Sequence, residues 1–232
     1  MSRLYLIPAP LGDNDPTEVI PQYVLETACS LKTFVVEETR TARRFLSRYG
    51  LKGKIDELSF TELNEHTGKE DIEAMASLFD NSDVGLITEA GLPAVADPGA
   101  ALVALCHRKG IEVVPLVGPS SLMMALMASG LDGQSFAFRG YLPAKTDERR
   151  TAIRNLEKTS SSLKQTQIFI ETPYRNDSLM ADLTANLNPS TRLCIAADIT
   201  LPTQLIRTLR VAEWRKRPLS IGKRPCVFLI LA

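Results

Sequence analysis

The stretch VGLITEAGLPAVADPG, residues 84–99, decides how the chain folds. Its first four residues, Val84–Ile87, form a short apolar run that is typical of a buried strand in a parallel sheet. The run breaks into a loop rich in glycine and proline, and an apolar helical pattern begins at Ala100. Small ligands of open α/β sheets bind beside the carboxyl ends of the strands, where this loop lies. Taken alone, the stretch fits an ordinary strand-to-helix connection equally well.

Two further loops favour a ligand site. Residues 8–13 follow a β-branched and aromatic strand predicted over Arg3–Ile7, and residues 116–121 follow a strand predicted over 111–116. Glycine in such loops lets the backbone approach a ligand, and proline reduces the entropy lost when the loop is ordered. We expect the three loops to meet at one edge of the sheet and enclose a ligand.

The rest of the chain alternates strand and helix patterns, which predicts an α/β protein. Further strands are predicted over 33–36, 136–139, 167–170, 192–197 and 226–231, and helices over 20–30, 41–49, 70–79, 100–109, 122–129, 149–158 and 178–187. The polar residues 59–68 are predicted to form a loop. The methionines of the helix 122–129 are expected to fill the core.

Composition predicts a cytoplasmic protein. No apolar run approaches the ~20 residues of a membrane-spanning helix, and the N-terminus, with Arg3 and a break at Pro8, lacks the pattern of a secretory signal. The four cysteines are scattered without a CxxC pair, so reduced thiols are expected and a zinc site is not.

Charge is distributed unevenly along the chain. Residues 1–100 carry 9 Lys/Arg against 17 Asp/Glu, a net charge of −8, and residues 101–232 carry 18 against 10, a net charge of +8. Such asymmetry indicates either an anionic partner of the second half or a basic face in contact with water only.

Several motifs occur together in a fixed order. They are PAPLG at 8–12, EETR at 37–40, TEAGLP at 88–93 with DPG at 97–99, and VPLVGPSS at 114–121. In this order they resemble the tetrapyrrole (uroporphyrin-III and precorrin) methylase superfamily, and within it the 16S rRNA cytidine 2′-O-ribose methyltransferase branch. GYLPAK at 140–145 and the pair Arg149-Arg150 also match that branch.

The resemblance implies two α/β domains, residues 1–117 with a mainly parallel sheet and residues 118–232 with a mixed sheet. It further implies a homodimer that holds S-adenosyl-L-methionine in the cleft between the domains, and no metal. The implied cofactor-binding residues are Pro10, Leu11, Glu89, Gly91, Leu92, Ser120, Ser121 and Leu122. A carboxylate at Glu89, where relatives more often carry Asp, is suited to the cofactor's ammonium group.

Methyl transfer to a ribose hydroxyl needs in-line positioning and a proton acceptor near the hydroxyl. The candidates are Glu38 and Glu65, with Arg40 holding a phosphate or orienting Glu38. An ion pair near a helix start explains Glu38 and Arg40 equally well.

Three departures from the branch leave the acceptor open. Where the branch usually has an HDHNE-like stretch, this chain has TELNE at 61–65. It has DITL at 198–201 in place of a Glu-Leu-Thr-Lys motif, and Arg224-Pro225 in place of Gly-Glu. One acceptor is rRNA, either by itself or within the small ribosomal subunit. The alternatives are that the protein methylates a tetrapyrrole-like small molecule, or that it is a cofactor-binding paralogue without rRNA activity.

Overall fold

A computed structural model describes residues 2–96 and 98–232. It consists of two compact units, Met1–Ser120 and Ser121–Ala232. One unit contains a parallel five-stranded sheet and the other a mixed five-stranded sheet. The α/β class and the character of both sheets are therefore confirmed.

The first unit alternates strands and helices along the chain. Its strands are β1 Arg3–Ile7, β2 Thr33–Val36, β3 Ser59–Glu62, β4 Val84–Ile87 and β5 Glu112–Pro115, and its helices are α1 Pro16–Val19, α2 Gln22–Ser30, α3 Thr39–Leu46, α4 Lys69–Ala74 and α5 Ala100–Lys109. The strands lie in the order β3-β2-β4-β1-β5, and every neighbouring pair is parallel. The carboxyl ends of all five strands consequently share one edge of the sheet.

Tight packing in the middle of this sheet explains why β4 contains a glycine. A Cβ at Gly85 would lie 2.6 Å from Ile7 Cδ1 and 2.9 Å from Phe34 Cδ1. All four residues of β4 are buried, because helices cover both faces of a parallel sheet.

The predicted loop over 59–68 is wrong for its first four residues, which form the edge strand β3. Thr33 to Val36 of β2 pair in parallel with Ser59 to Glu62, and Phe60 stacks on Phe34 with ring centroids 5.9 Å apart. An edge strand has one unpaired side, so polar residues are tolerated there and its sequence resembles a loop.

The predicted helix 20–30 also needs a correction. It begins at Gln22, after Pro21, and a separate single turn, α1, precedes it. Asp15 caps that turn by accepting a hydrogen bond from the Thr17 amide. Proline suits the first position of a helix because it has no amide hydrogen to leave unpaired.

The second unit carries the mixed sheet. Its strands are β6 Phe136–Tyr141, β7 Thr166–Ile170, β8 Arg192–Ala197, β9 Leu205–Arg210 and β10 Cys226–Leu231, and its helices are α6 Ser121–Ser129, α7 Thr146–Leu163, α8 Asn176–Asn186 and α9 Val211–Lys216. The strand order is β6-β7-β10-β8-β9, with β6 and β7 parallel and the other pairs antiparallel. Sequence reasoning missed β9 and α9.

One expectation about the second core is wrong. Met127 is 82% exposed and Met123 43% exposed, so these side chains of α6 do not fill the core. The core instead contains β10, buried at all six positions, and Trp214 of α9. Among the described residues, no helix combines the length and the apolar character that crossing a membrane requires.

Candidate functional site

The loops after β1 and β4 are hydrogen-bonded to each other. The Ala9 amide donates to the Gly91 carbonyl over 2.8 Å, and the Gly91 amide donates to the Ala9 carbonyl over 3.0 Å. Gly91 has a φ of +73°, and a Cβ there would lie 3.3 Å from Leu11 Cδ2. Glycine is favoured because an L side chain is strained in this backbone conformation.

The loop after β5 packs against the loop after β1. A Cβ at Gly118 would lie 2.1 Å from Pro8 Cβ, so the two backbones can approach this closely only with glycine. The Pro8 carbonyl also accepts a hydrogen bond from the buried Tyr49 hydroxyl over 2.8 Å. The three loops predicted to meet at one edge of the sheet thus lie in contact there.

Most of the cofactor residues implied by the resemblance lie in these loops, and the last two lie at the start of α6. Pro10 and Gly91 are buried, Leu11 and Leu92 half-buried, Glu89 exposed and Ser120 half-buried; Ser121 and Leu122 begin α6 in the second unit. Asp97 of the DPG motif lies outside the described residues. Ala94 and Ala96 have positive φ angles of 63° and 66°, a local strain that the sequence did not indicate.

Side chains at the ends of β2, β3 and β4 form a hydrogen-bonded network. The Thr39 hydroxyl donates to Glu62 Oε1 over 2.8 Å, and the Thr41 hydroxyl donates to Glu89 Oε1 over 3.3 Å. The Thr88 hydroxyl donates to Glu37 Oε2 over 3.1 Å. The first turn of α3 therefore connects the end of β3 with the loop after β4.

Glu38 is the N-cap of α3. Its carboxylate accepts the Arg40 amide over 2.9 Å and the Thr41 amide over 2.6 Å. The Thr41 hydroxyl and these two amides lower the pKa of Glu38 below its ordinary value. A carboxylate of lowered pKa is a weaker proton acceptor, and this one already stabilises a helix end.

The other two catalytic candidates are exposed. Glu65 Oε1 lies 3.6 Å from His66 Nε2, and both side chains are more than four-fifths exposed. Arg40 is exposed on the first turn of α3. Among the described residues, no hydrogen bond or ion pair joins Glu65 to Glu38 or Arg40, so the structure does not bring the three candidates into direct contact.

The residues that sequence reasoning missed are Thr39, Thr41 and Glu62. Thr39 lies in the EETR motif and Thr41 directly after it. The strand-and-helix pattern predicted a helix start there, but it did not indicate which side chains the two threonines bind. Glu62 could be found only by predicting β3, because its place at the sheet edge depends on that strand.

Comparison with known families and proteins gives one consistent result. A family model described as Tetrapyrrole (Corrin/Porphyrin) Methylases matches residues 3–214. A protein of Vibrio cholerae is 31% identical over 211 residues, covering 90% of this chain and 69% of that protein. One of Escherichia coli O157:H7 is 30% identical over 232 residues, covering 98% and 77%. Both are named Ribosomal RNA small subunit methyltransferase I.

Two of the solved structures of similar fold are named methyltransferases. The methyltransferase CobJ aligns with a TM-score of 0.64 at 14% identity, covering 100% of this chain and 94% of that one. A uroporphyrin-III C-methyl transferase from Thermus thermophilus, complexed with S-adenyl homocysteine, aligns with a TM-score of 0.57 at 17% identity, covering 99% and 97%. At these identities the likeness establishes the fold.

Proposed function

Because the chain belongs to the tetrapyrrole (corrin/porphyrin) methylase family, we propose that it methylates the 2′-hydroxyl of a ribose in the RNA of the small ribosomal subunit. It is an S-adenosylmethionine-dependent methyltransferase. The names of the Vibrio cholerae and Escherichia coli relatives support the RNA acceptor, and so does the excess of basic residues in the second unit. We also propose that the enzyme acts in the cytoplasm, because its acceptor would be found where ribosomal subunits are assembled.

The observation that carries the proposal is the contact between the loops after β1, β4 and β5. These loops offer what a nucleoside with an amino-acid tail requires, namely close backbone approach at Gly91, an exposed carboxylate at Glu89 and a hydroxyl at Ser120. We assign the ammonium group to Glu89 and the apolar contacts to Pro10, Leu11 and Leu92, with Ser121 and Leu122 beside the sugar and adenine. When bound, the cofactor supplies an electrophilic methyl group on its sulfonium.

The protein must then orient a hydroxyl and receive its proton. Glu65 is the stronger candidate for the proton acceptor, because its exposed carboxylate lies beside His66 and caps no helix, whereas Glu38 caps α3. Arg40 would hold a phosphate of the RNA backbone. Glu65→Gln should lower kcat while leaving cofactor affinity unchanged, because it removes a proton acceptor and no cofactor contact.

Incubation with small ribosomal subunits and methyl-labelled cofactor tests the proposal. We expect label in a ribose, detected as one phosphodiester that resists alkaline cleavage. Gly91→Val provides a variant in which cofactor binding is blocked and labelling is lost. A protein that binds the cofactor but labels neither subunits nor naked rRNA would contradict the RNA acceptor.

We further propose that the enzyme is a homodimer. Met123 and Met127 lie one turn apart on α6, and Tyr141 of β6 is 56% exposed. The two methionines are neighbours on one helix and form an apolar patch, and such patches mark interaction surfaces. Light scattering should give twice the chain mass, and Met127→Glu should shift the protein toward monomer, while a monomeric wild-type protein at assay concentration would refute the dimer.

A further inference from the structure

A polar pocket in the second unit lies beside the amino end of β8. It has a volume of about 470 Å³, and its walls come from the second half of α7, the loop that leads into β8 and the residue after β10. The lining residues are Arg154, Glu157, Lys158, Ser161, Ser162, Asn188, Ser190, Thr191 and Ala232. These residues are distinct from those assigned above to the cofactor and to proton transfer.

The chemistry of this lining suits an anion. Arg154 and Lys158 contribute two cations, and the hydroxyls of Ser161 and Ser190 make no hydrogen bond to any described residue. Among the described residues that line the pocket, none is aromatic or a large aliphatic, whereas pockets for small molecules and the cores of protein interfaces are rich in such groups. Arginine, lysine and serine side chains are common donors to phosphate oxygens.

The buried carboxylate of Glu157 shapes the pocket. It accepts the Asn188 backbone amide over 2.8 Å, the Asn188 side-chain amide over 2.7 Å and the Thr191 hydroxyl over 2.5 Å. These bonds fasten the loop before β8 to α7. Within the described part of the chain, Glu157 forms no ion pair with Arg154 or Lys158, so its charge is used to hold the loop.

Two arginines lie directly opposite each other at the same edge of the mixed sheet. Arg192, the first residue of β8, is paired with Arg210, the last residue of β9. On its other side Arg192 is paired with Leu231 of β10, which precedes Ala232 of the pocket. Both arginines are exposed. Like charges directly opposite each other on neighbouring strands destabilise a sheet, so this pair has a cost for the fold.

Arg154 and Lys158 form a second pair of like charges, one turn apart on α7, where such a spacing is also destabilising. Among the described residues, no carboxylate forms an ion pair with any of these four cations. Glu213, three residues after Arg210, accepts the Arg210 backbone amide over 3.0 Å. An anion bound from outside would relieve both repulsions. We call the four cations the basic edge: Arg154, Lys158, Arg192 and Arg210.

We propose that the basic edge binds the phosphate backbone of the RNA and anchors it at the amino end of β8. The guanidinium groups suit phosphate because they donate two parallel hydrogen bonds to it, and the serine hydroxyls add further donors. Contacts to phosphates fix the position of a nucleic acid and carry no sequence information. The basic edge therefore supplies affinity for RNA in general. This inference rests on the proposed function, since it identifies a surface that holds the RNA.

Neutralising the arginine pair is the direct test. The double variant Arg192→Gln with Arg210→Gln removes two charges from the basic edge, and Lys52→Gln with Lys54→Gln removes two exposed charges from the acidic unit as a control. Filter binding to small-subunit rRNA and to poly(U) is measured over a series of salt concentrations. We expect the arginine variant to bind both RNAs about tenfold more weakly, and its slope of log K against log salt to be smaller by about 1.4, at ~0.7 per phosphate contact. Equal affinities of the two double variants would overturn the inference.

Thermal unfolding shows whether the arginines serve the fold instead. Because the two charges repel each other, we expect the Tm of the arginine variant to equal that of the wild type or to exceed it by up to about 3 °C. A lower Tm would show that the pair stabilises the sheet, and this result would contradict a surface kept for RNA.

The binding measurement also separates this inference from the proposed function. Weaker RNA binding by the arginine variant supports the basic edge even if no RNA is methylated, and unchanged binding refutes it even if RNA is methylated. Light scattering of the same variant tests the other anionic partner, the acidic unit of a second copy of the chain. A change in oligomeric state with unchanged RNA affinity would assign the basic edge to that contact and refute the RNA site.

Discussion

At the scale of single residues, the site depends on two close contacts between loops. Gly118 allows the loop after β5 to lie against Pro8, and Gly91 allows the loop after β4 to pair with Ala9. The sequence predicted that these glycine- and proline-containing loops would enclose a ligand. It could not predict which atoms touch, because those contacts depend on the order of the strands in the sheet. That order differs from the order of the strands along the chain.

Replacing Gly118 tests this contact. Gly118→Ala places a methyl group against the ring of Pro8, so we expect the free energy of unfolding to fall by about 1–3 kcal/mol and cofactor affinity to fall about tenfold because the first loop is displaced. Gly133→Ala is the matched control, since a Cβ there meets nothing within 4 Å. Urea denaturation and calorimetric titration with S-adenosylmethionine measure both effects, and similar behaviour of the two variants would be contrary evidence.

The cap of α3 predicts a pH dependence. The pKa of Glu38 is lowered from its ordinary value of 4.5 by the Thr41 hydroxyl and two helix amides. A carboxylate with a lowered pKa in the folded state stabilises the protein above its ordinary pKa, and this contribution is lost as pH falls through the lowered pKa. The Tm difference between the wild type and Glu38→Gln should therefore be largest near about pH 7 and shrink toward about pH 3.

Glu70→Gln controls for the loss of one surface charge. Glu70 is exposed in the first turn of α4, and the described residues give its side chain no hydrogen bond. A Tm difference for Glu38→Gln that does not change with pH, or that Glu70→Gln reproduces, would mean that the cap does not stabilise α3 in this way.

At the scale of elements, prediction succeeded where one residue pattern dominated. Continuous apolar runs identified β4 and β10, since both are buried along their full length. It failed at two of the four edge strands, β3 and β9, whose residues are exposed or only partly buried. Edge strands need only one buried face and one hydrogen-bonded side, so their sequences resemble loops or basic surface segments.

Helix α7 gives an element-scale prediction. The buried Arg149 forms an ion pair with Asp182 of α8, with 2.6 Å between Nη2 and Oδ2. Arg149→Met leaves the buried Asp182 carboxylate with the half-exposed Arg150 as its one remaining partner among the described residues, so we expect a loss of about 3–5 kcal/mol in the free energy of unfolding. Arg154→Met, at an exposed position of the same helix, should change it by less than about 0.5 kcal/mol.

Chemical denaturation distinguishes the two substitutions. Equal midpoints for Arg149→Met and Arg154→Met would show that the buried pair does not hold α7 against α8. A loss recovered by the double substitution Arg149→Met with Asp182→Leu would attribute the effect to the unpaired carboxylate, because removing both charges removes the desolvation penalty.

At the scale of the whole molecule, the two units differ in charge. Residues 1–120 carry 11 Lys/Arg against 18 Asp/Glu, a net charge of −7, and residues 121–232 carry 16 against 9, a net charge of +7. A zero overall charge therefore conceals a basic unit. Composition revealed this difference in net charge. It did not reveal which basic side chains pair within the fold, as Arg149 does with Asp182 and Arg175 with Glu171.

If the basic unit contacts RNA, binding must depend steeply on salt. Each phosphate neutralised releases counterions, and about five contacts to single-stranded RNA give a slope of roughly −3.5 in log K against log salt. Reversing the exposed pair Arg154 and Lys158 to glutamate should reduce this slope by about 1–2. The same reversal at the exposed Lys52 and Lys54 of the acidic unit should leave it nearly unchanged.

Filter binding to small-subunit rRNA between low and physiological salt measures the slope, and cofactor titrations in the same buffers show whether salt acts on the fold. A flat salt dependence would favour a small-molecule acceptor, since no phosphate backbone would then be bound.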